Sequence, residues 1–300
     1  MVAQRKPGTY AIEGHAFEAS ALEPGLYIVA TPIGHLGDVS LRALATLAAA
    51  DLVACEDTRV TGKLLQRYAL KVPLASYHEH NAEKQRPKIL AALARGESVA
   101  LVSDAGTPLI SDPGYRLVRE AAEAGYAVIP IPGASALLAG LVASGLPTDS
   151  FFFAGFLPPK STARRKRLAE LVAIPGTLVF YESPHRTAAA LADMAAELGG
   201  EREAVVAREL TKTFETVRRA KLAELAKTFA EEPEPKGEIV ILVAPPLPVE
   251  HKAADLDRDL AELLRTMSAG EAAATLAART GLPRRELYKR VLALKDAGDD

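Results

Sequence analysis

From Leu26 to Ser144 short apolar runs alternate with longer amphipathic stretches. "LYIVAT" is followed by "SLRALATLAAA", "DLVACE" by "VTGKLLQRY", "SVALVS" by "YRLVREAAEAG", and "YAVIPI" by "ASALLAGLVA". The β-rich runs predict strands and the stretches of helical period predict helices. Such an alternation predicts a parallel sheet covered on both faces. Chemistry is then expected at the carboxyl ends of its strands, where the connecting turns converge.

A second series begins at "SFFFAGF" and continues through "GTLVFYE", "EAVVARE", "FETVRRA" and "GEIVILV", with helical patterns such as "RTAAALADMAAEL" between. The gap between "AVVAREL" and "FETVRRA" is too short for a crossover helix, which predicts a mixed sheet. The expected fold is therefore α/β: an N-terminal domain over 25–136, parallel, and a C-terminal domain over 137–246, mixed. The prolines of "APPLPVEHK" mark a linker, and residues 253–296 read as helices only. Residues 1–24 lack the apolar core of a signal peptide and are expected to form a mobile tail. The long uncharged stretch over 127–147 is broken by three prolines and three glycines, and its helical part is too short to cross roughly 30 Å of hydrocarbon.

Composition narrows the picture. At 300 residues, 49% hydrophobic and 25% charged, the chain has enough apolar side chains for more than one core. With 36 basic against 38 acidic residues the net charge is −2, so a polyanion must be held by local patches. The single cysteine, Cys55, suits a reducing cytoplasm and is read as a small buried hydrophobe. Three turns containing glycine and proline end apolar strands of the first domain: "TPIGHLGD", "SDAGTP" and "PIPGAS". Glycine removes the Cβ and proline fixes direction, so such turns let a ligand approach the backbone. Neither G-x-G-x-x-G nor a P-loop occurs, which argues against the usual dinucleotide and nucleotide-phosphate sites.

Taken together, "YIVATPIGHLGDVSLRAL", "ACEDTR", "SYHEHN", "SDAGTPLISDPG", "IPGASA", "LPTDSFFFAGFLP", "YESPHR" and "KGEIVILV" resemble the tetrapyrrole methylase superfamily over about residues 25–244. Within it they resemble the branch that methylates a cytidine ribose 2′-hydroxyl in 16S rRNA of the bacterial small ribosomal subunit. The resemblance implies a homodimer with S-adenosylmethionine in the cleft between the two α/β domains. It assigns Asp104, Gly106 and Thr107 to the donor's amino-acid end, with Pro32 lining the same cleft. Ser135 and Ala136 meet the donor from the next strand, and Glu182 and Leu210 enclose its adenine and ribose. Two positions depart from the pattern: His35 stands where the branch usually has asparagine, and Ala134 where "PGPS" is commoner.

Methyl transfer to a ribose hydroxyl asks for alignment of oxygen and methyl, exclusion of water, and a base. It needs no metal. Asp57 and Arg59 of "EDTR", His185 of "SPHR" and Lys212 of "ELTK" are the candidates for the base or its helper, with Lys212 favoured as a desolvated amine. Their structural alternatives are a helix cap for Asp57, a carboxylate pair for Arg59, a satisfied cleft histidine for His185 and a solvated chain for Lys212. In "YHEHN", His78 and His80 have a spacing that can chelate, but no further ligands stand nearby in sequence, and substrate contact or loop packing is preferred.

"KSTARRKR" carries Lys160, Arg164, Arg165, Lys166 and Arg167 without an acid. Cations at a helix start oppose the helix dipole, so phosphate contact is expected there. The tail "AGEAAATLAARTGLPRRELYKRVLALK" reads as helix, turn, helix, with Arg284 and Arg285 as candidate RNA contacts. The competing functions are methylation of a tetrapyrrole ring carbon and a non-catalytic nucleic-acid binder whose α/β body senses a metabolite. With aromatics at only 5% and no tryptophan, extensive base stacking is not expected.

Overall fold

The computed structural model describes residues 8–247 and 253–296. Between Pro246 and Leu247 the chain divides into two compact units. The first unit opens with a hairpin of β1 (Gly8–Ile12) and β2 (His15–Ala19), turning at Glu13 and Gly14. The expected mobile tail is thus replaced over 8–19 by ordered strands; the first seven residues lie outside those described. The hairpin is held because its alternate residues Tyr10 and Ile12 pack against the adjoining core, and the Ala11 N–H donates to the Tyr68 carbonyl at 2.8 Å.

The parallel sheet follows as β3 (Gly25–Val29), α1 (Leu41–Ala49), β4 (Leu52–Cys55), α2 (Thr58–Arg67), β5 (Leu74–Ser76), α3 (Ala82–Ala94), β6 (Ser98–Val102), α4 (Tyr115–Glu123) and β7 (Val128–Ile131). Its order is β5-β4-β6-β3-β7 and every pairing is parallel. Both faces are covered, so its strands are apolar in near-continuous runs, and β6 is buried from end to end. Alternate residues divide between two cores: Tyr27 and Val29 pack with Leu44 and Leu47, while Leu26 and Leu101 pack with Ile89 and Leu117. As expected for this topology, residues 31–35, 56–59, 77–81, 103–114 and 132–135 all leave the sheet at its carboxyl edge.

Helix α5 (Ala136–Ser144) leads into the second sheet, made of β8 (Phe151–Phe156), β9 (Thr177–Glu182), β10 (Glu203–Arg208), β11 (Thr216–Lys221) and β12 (Ile239–Val243). Helices α6 (Ser161–Leu171), α7 (Thr187–Leu198) and α8 (Leu222–Glu231) lie between these strands in sequence. The order is β11-β10-β12-β9-β8, with β8 and β9 parallel and the remaining pairs antiparallel. This is the mixed sheet that the short β10–β11 connection predicts. Gly140 lets α5 lie close on this sheet, since a Cβ there would stand 3.1 Å from Val240 Cγ1.

The second unit contains α9 (Ala253–Leu263), α10 (Ala269–Thr280) and α11 (Arg284–Asp296). Ser268 and Glu271 form a capping box on α10, and Gly281 ends it in the left-handed conformation. Leu260, Leu276, Leu287 and Val291 form the core, and Arg290 pairs with Asp257 at 2.6 Å. No described helix is long and apolar enough to cross a membrane.

Candidate active site

The turns at the carboxyl edge of the parallel sheet are tied to one another by hydrogen bonds. Thr31 and Gly106 exchange backbone bonds at 2.9 and 3.0 Å, the Ser103 hydroxyl donates to the Gly106 carbonyl at 3.1 Å, and the Thr107 hydroxyl donates to the Ala134 carbonyl at 3.2 Å. Gly106 has φ of 81°, and a Cβ on it would meet Ile33 Cγ2 at 3.2 Å. Only glycine combines that backbone with that proximity. Ala134 contributes its carbonyl, so its departure from the family pattern leaves this link intact.

The second sheet closes the other side. Tyr181 accepts the Leu137 N–H at 3.1 Å, and its ring meets Phe153 and Phe156 edge-on with centroids 4.8 and 5.7 Å away. Burial pushes the Tyr181 hydroxyl up from its ordinary pKa. Glu182, buried at the end of β9, accepts the Ser183 N–H at 2.8 Å and lies 3.2 Å from the Arg186 guanidinium. In the loop after β10, Glu209 and Thr211 have φ of 53° and 64° and flank Leu210. Thr211 accepts the His35 N–H at 3.1 Å, joining loops of the two domains. His35 also accepts the Gly37 N–H at its Nδ1, a capping bond that an asparagine oxygen makes equally well.

Between these loops lies a cavity of about 380 Å³. Of the eight expected donor contacts, Asp104, Gly106, Thr107, Ser135, Ala136, Glu182 and Leu210 line it. Pro32 is buried and lies outside the lining; its neighbour Ile33 stands there instead. Tyr181, Glu238 and Asp112 also line the cavity and were not picked out from sequence. Burial first, then the charges of Glu56 and Asp104, hold the Asp112 carboxyl up to about 6. The one sequence signal for it was the second Ser-Asp pair of "SDAGTPLISDPG", five residues beyond Thr107.

Asp57 and Arg59 line a second cavity of about 520 Å³ together with Glu56, Ser76, His78 and His80, and Asp104 belongs to both cavities. Asp57 caps α2 by accepting the Arg59 N–H at 2.8 Å and also binds the Arg59 guanidinium. The Arg59 hydrogen bonds hold its carboxyl down at about 2, so it is a poor proton acceptor. The imidazoles of His78 and His80 stand 6.1 Å apart edge-on. His185 is exposed and outside the cavity lining.

Lys212 differs from the desolvated, neutral amine expected. Burial pulls its pKa down, but hydrogen bonds to Glu209 at 2.8 Å and Glu238 at 3.1 Å outweigh it and raise the pKa above the ordinary lysine value. These two carboxylates keep the amine charged.

The basic run at α6 also divides. Arg164 is buried at 3% exposure, with its guanidinium 2.7 Å from Asp193 and a further bond to the Pro159 carbonyl. Arg165 pairs with Glu197 at 2.6 Å and Arg167 with Glu170 at 2.9 Å. Acids of α6 and α7 therefore answer much of the charge that sequence assigned to phosphate. Lys160 and Lys166 are exposed, without an ion pair among the described residues. In the second unit Arg284 and Arg285 are exposed on the first turn of α11, with Arg284 reaching the Gly270 carbonyl at 3.3 Å.

Two α/β domains whose loops enclose one deep, mostly apolar cavity with polar groups at its edges define a cleft enzyme of the α/β class. A family model described as tetrapyrrole (corrin/porphyrin) methylases matches residues 25–226, and one described as the RsmI C-terminal HTH domain matches residues 250–295. The chain belongs to the tetrapyrrole methylase family. The ribosomal RNA small subunit methyltransferase I of Mesorhizobium japonicum is 56% identical over 282 residues, covering 94% of this chain and 96% of the relative. The protein of the same name from Pseudomonas aeruginosa is 49% identical over 271 residues, 89% and 96% of the two chains. Among solved structures, uroporphyrin-III C-methyltransferase of Thermus thermophilus complexed with S-adenyl homocysteine has a TM-score of 0.52 at 21% identity, over 73% of this chain and 96% of that one. That last likeness is one of fold.

Proposed function

We propose that this chain moves a methyl group from S-adenosylmethionine to the 2′-hydroxyl of a specific cytidine in 16S rRNA, working as a cytoplasmic homodimer on the small ribosomal subunit. The observation that carries the reading is the cavity built by glycine-bearing turns of both domains, in a chain whose relatives are named for small-subunit rRNA methylation.

The cavity fits the donor. Its volume is in the range for small-ligand sites, Ile33, Leu210 and Val240 give it apolar walls, and Asp104, Ser135 and Glu182 give it polar edges. Gly106 leaves open the space that a Cβ would fill. Asp104, Gly106 and Thr107 would hold the amino-acid end; Ser135, Ala136, Glu182 and Leu210 would enclose the nucleoside. When bound, the donor supplies a methyl group made electrophilic by its sulfonium. The protein's share is alignment and exclusion of water, an effect of about 7–11 kcal/mol in well-oriented systems. The hydrogen bonds among residues 31, 103, 106, 107 and 134 fix the donor-side turns before any ligand arrives.

For the partner side, exposed Lys160, Lys166, Arg284 and Arg285 are the remaining candidates for phosphate contact. A small macrocycle needs neither these cations nor a helix-turn-helix module, which favours RNA over a tetrapyrrole. Helix α5 supports the homodimer: it carries no charged residue, yet Leu138 and Val142, one turn apart, are exposed, Val142 at 76%.

Donor binding is tested by calorimetry on ligand-stripped protein. The acceptor is tested by radiolabelled transfer to small subunits from cells lacking this protein, with the labelled nucleotide mapped. Label in a cytidine ribose is expected; label in a macrocycle, or donor binding without transfer, rejects the reading.

A further inference from the structure

With Lys212 kept charged and Asp57 bound to Arg59, the proton of the acceptor hydroxyl needs another destination. Four carboxylates line the first cavity. Three are engaged: Asp104 Oδ1 accepts the Asp57 N–H at 2.9 Å, Glu182 is bound by Ser183 and Arg186, and Glu238 pairs with Lys212 at 3.1 Å. Asp112 has no cation paired with it among the described residues, only a hydrogen bond from the Ser103 side chain. The groups around it are Glu56 after β4, Ser103 and Asp104 after β6, and Tyr181 on β9, all neutral or acidic. Glu182 and Glu238 share the cavity wall with it and are taken up by their own cations.

Its backbone is held as firmly as its charge is left open. Leu109 and Ser111 have φ of 72° and 62°, and Gly114 has φ of 135° with a Cβ position 3.0 Å from Leu101 Cδ2. Non-glycine residues in that region persist only where the surroundings over-determine them, and they gather at functional sites. The loop also touches the second domain, since a Cβ on Gly155 of β8 would stand 3.3 Å from Ser111 Oγ. Asp104 is common to this cavity and to the one lined by Glu56, Ser76, His78 and Arg59, so a nucleotide seated in the second cavity meets the first beside these carboxylates.

We infer that Asp112 is the catalytic base of the transfer, receiving the acceptor hydroxyl's proton on a carboxylate oxygen at the wall of the donor cavity. The inference rests on the methyl-donor reading of that cavity. As the acceptor oxygen takes the methyl group its O–H bond breaks and Asp112 gains the proton, while the electron pair of the broken carbon–sulfur bond stays on sulfur. One negative and one positive charge are cancelled, and no further reactant is required. The elevated pKa suits the role, because a base that is ionised near neutral pH yet not far below it accepts a proton with more driving force than an ordinary aspartate.

The test uses the full chain, with Asp112→Asn and Asp112→Glu compared with wild type. Single-turnover transfer to small subunits is expected to fall by about 10²- to 10⁴-fold in Asp112→Asn and to recover in part in Asp112→Glu. S-adenosylhomocysteine affinity, read by calorimetry, is expected to stay within about threefold. Without any ligand, carbon-13 NMR of aspartate-labelled wild type is expected to show one carboxyl titrating near pH 6 that is missing in Asp112→Asn. Turnover of Asp112→Asn within about threefold of wild type, or no such resonance, overturns the inference. A wild type that binds the donor but labels no RNA overturns the functional reading and this inference with it. Labelling by wild type and an unimpaired Asp112→Asn overturns this inference alone.

Discussion

Asp112→Asn is expected to stabilise the folded chain above neutral pH while crippling the reaction. In the folded protein the carboxyl titrates at about 6, against 3.8 for an ordinary aspartate. A raised folded-state value means that the unfolded chain loses this proton more readily than the folded one. The group therefore does no harm below about pH 4, destabilises increasingly as pH rises toward 6, and exerts its full effect above about 7. The shift corresponds to an upper bound of about 3 kcal/mol; partial access to solvent and an imperfect amide mimic reduce the expected gain to about 1–2 kcal/mol. For a unit of this size each kcal/mol moves Tm by about 2–4 °C. Differential scanning calorimetry of ligand-free wild type and variant from pH 4 to pH 8 reads the effect. The two curves are expected to coincide at the acid end and to separate progressively, with the variant higher at the alkaline end. Parallel curves across the range, or a gap that widens toward acid, refute the account of how burial, Glu56 and Asp104 act on this carboxyl.

Gly237→Ala places a Cβ 2.1 Å from Glu209 Cδ at a residue with φ of 91°; a loss of about 2–4 kcal/mol in chemical denaturation is expected, with weakened donor binding through the displaced Leu210. Arg164→Ala removes a buried guanidinium from the half-buried Asp193 carboxylate, which keeps its hydrogen bond from the Ser161 hydroxyl at 2.9 Å, and is expected to destabilise by about 1–3 kcal/mol, while the salt dependence of RNA affinity stays as in wild type. Replacing Lys160 and Lys166 together by alanine is expected to leave Tm unmoved and to flatten the slope of log affinity against log salt by about 0.7 for each phosphate left without its cation, as filter binding across salt concentrations measures. If the proposed homodimer forms through the exposed face of α5, Val142→Glu puts a charge in its interface and is expected to sediment as monomer where wild type sediments as dimer, without changing secondary structure by circular dichroism.

What could be read along the chain was local. The strands of the parallel sheet were legible because burial on both faces makes "SVALV" apolar almost throughout, and the donor turns because glycine and proline punctuate them. Tyr10, Phe17 and the Glu13–Gly14 turn also mark a hairpin, but about half of its residues face solvent, which leaves too few apolar positions to stand out. The larger misreadings concern charge. "KSTARRKR" looks uncompensated along the chain because Asp193 and Glu197, which answer Arg164 and Arg165, lie on another helix about a turn apart from each other. Glu209 is visible three residues before Lys212, but Glu238 arrives from the edge of β12. For Asp112 the decisive neighbours are Glu56 and Asp104, brought together by the pairing of β4 with β6. Electrostatic environment is set by sheet order, and a pattern of residues along one chain does not encode it directly.

Backbone strain follows the same geography as charge. Of the six described non-glycine residues with positive φ, Leu109 and Ser111 flank Ile110, and Glu209 and Thr211 flank Leu210; Ile110 and Leu210 both line the first cavity. Each pair turns one apolar side chain into the cavity from a loop that would otherwise relax, at about 1–3 kcal/mol for each strained residue. The loop after β10 stays in place because it is bonded across the domain boundary and within itself: Thr211 to His35, and the Thr211 N–H to Glu215 at 2.6 Å. A cavity shaped this way does not need the ligand's binding energy to assemble its walls, so that energy remains for orienting the acceptor. It follows that cutting the His35–Thr211 link loosens the donor site without touching any residue that lines it except through Leu210.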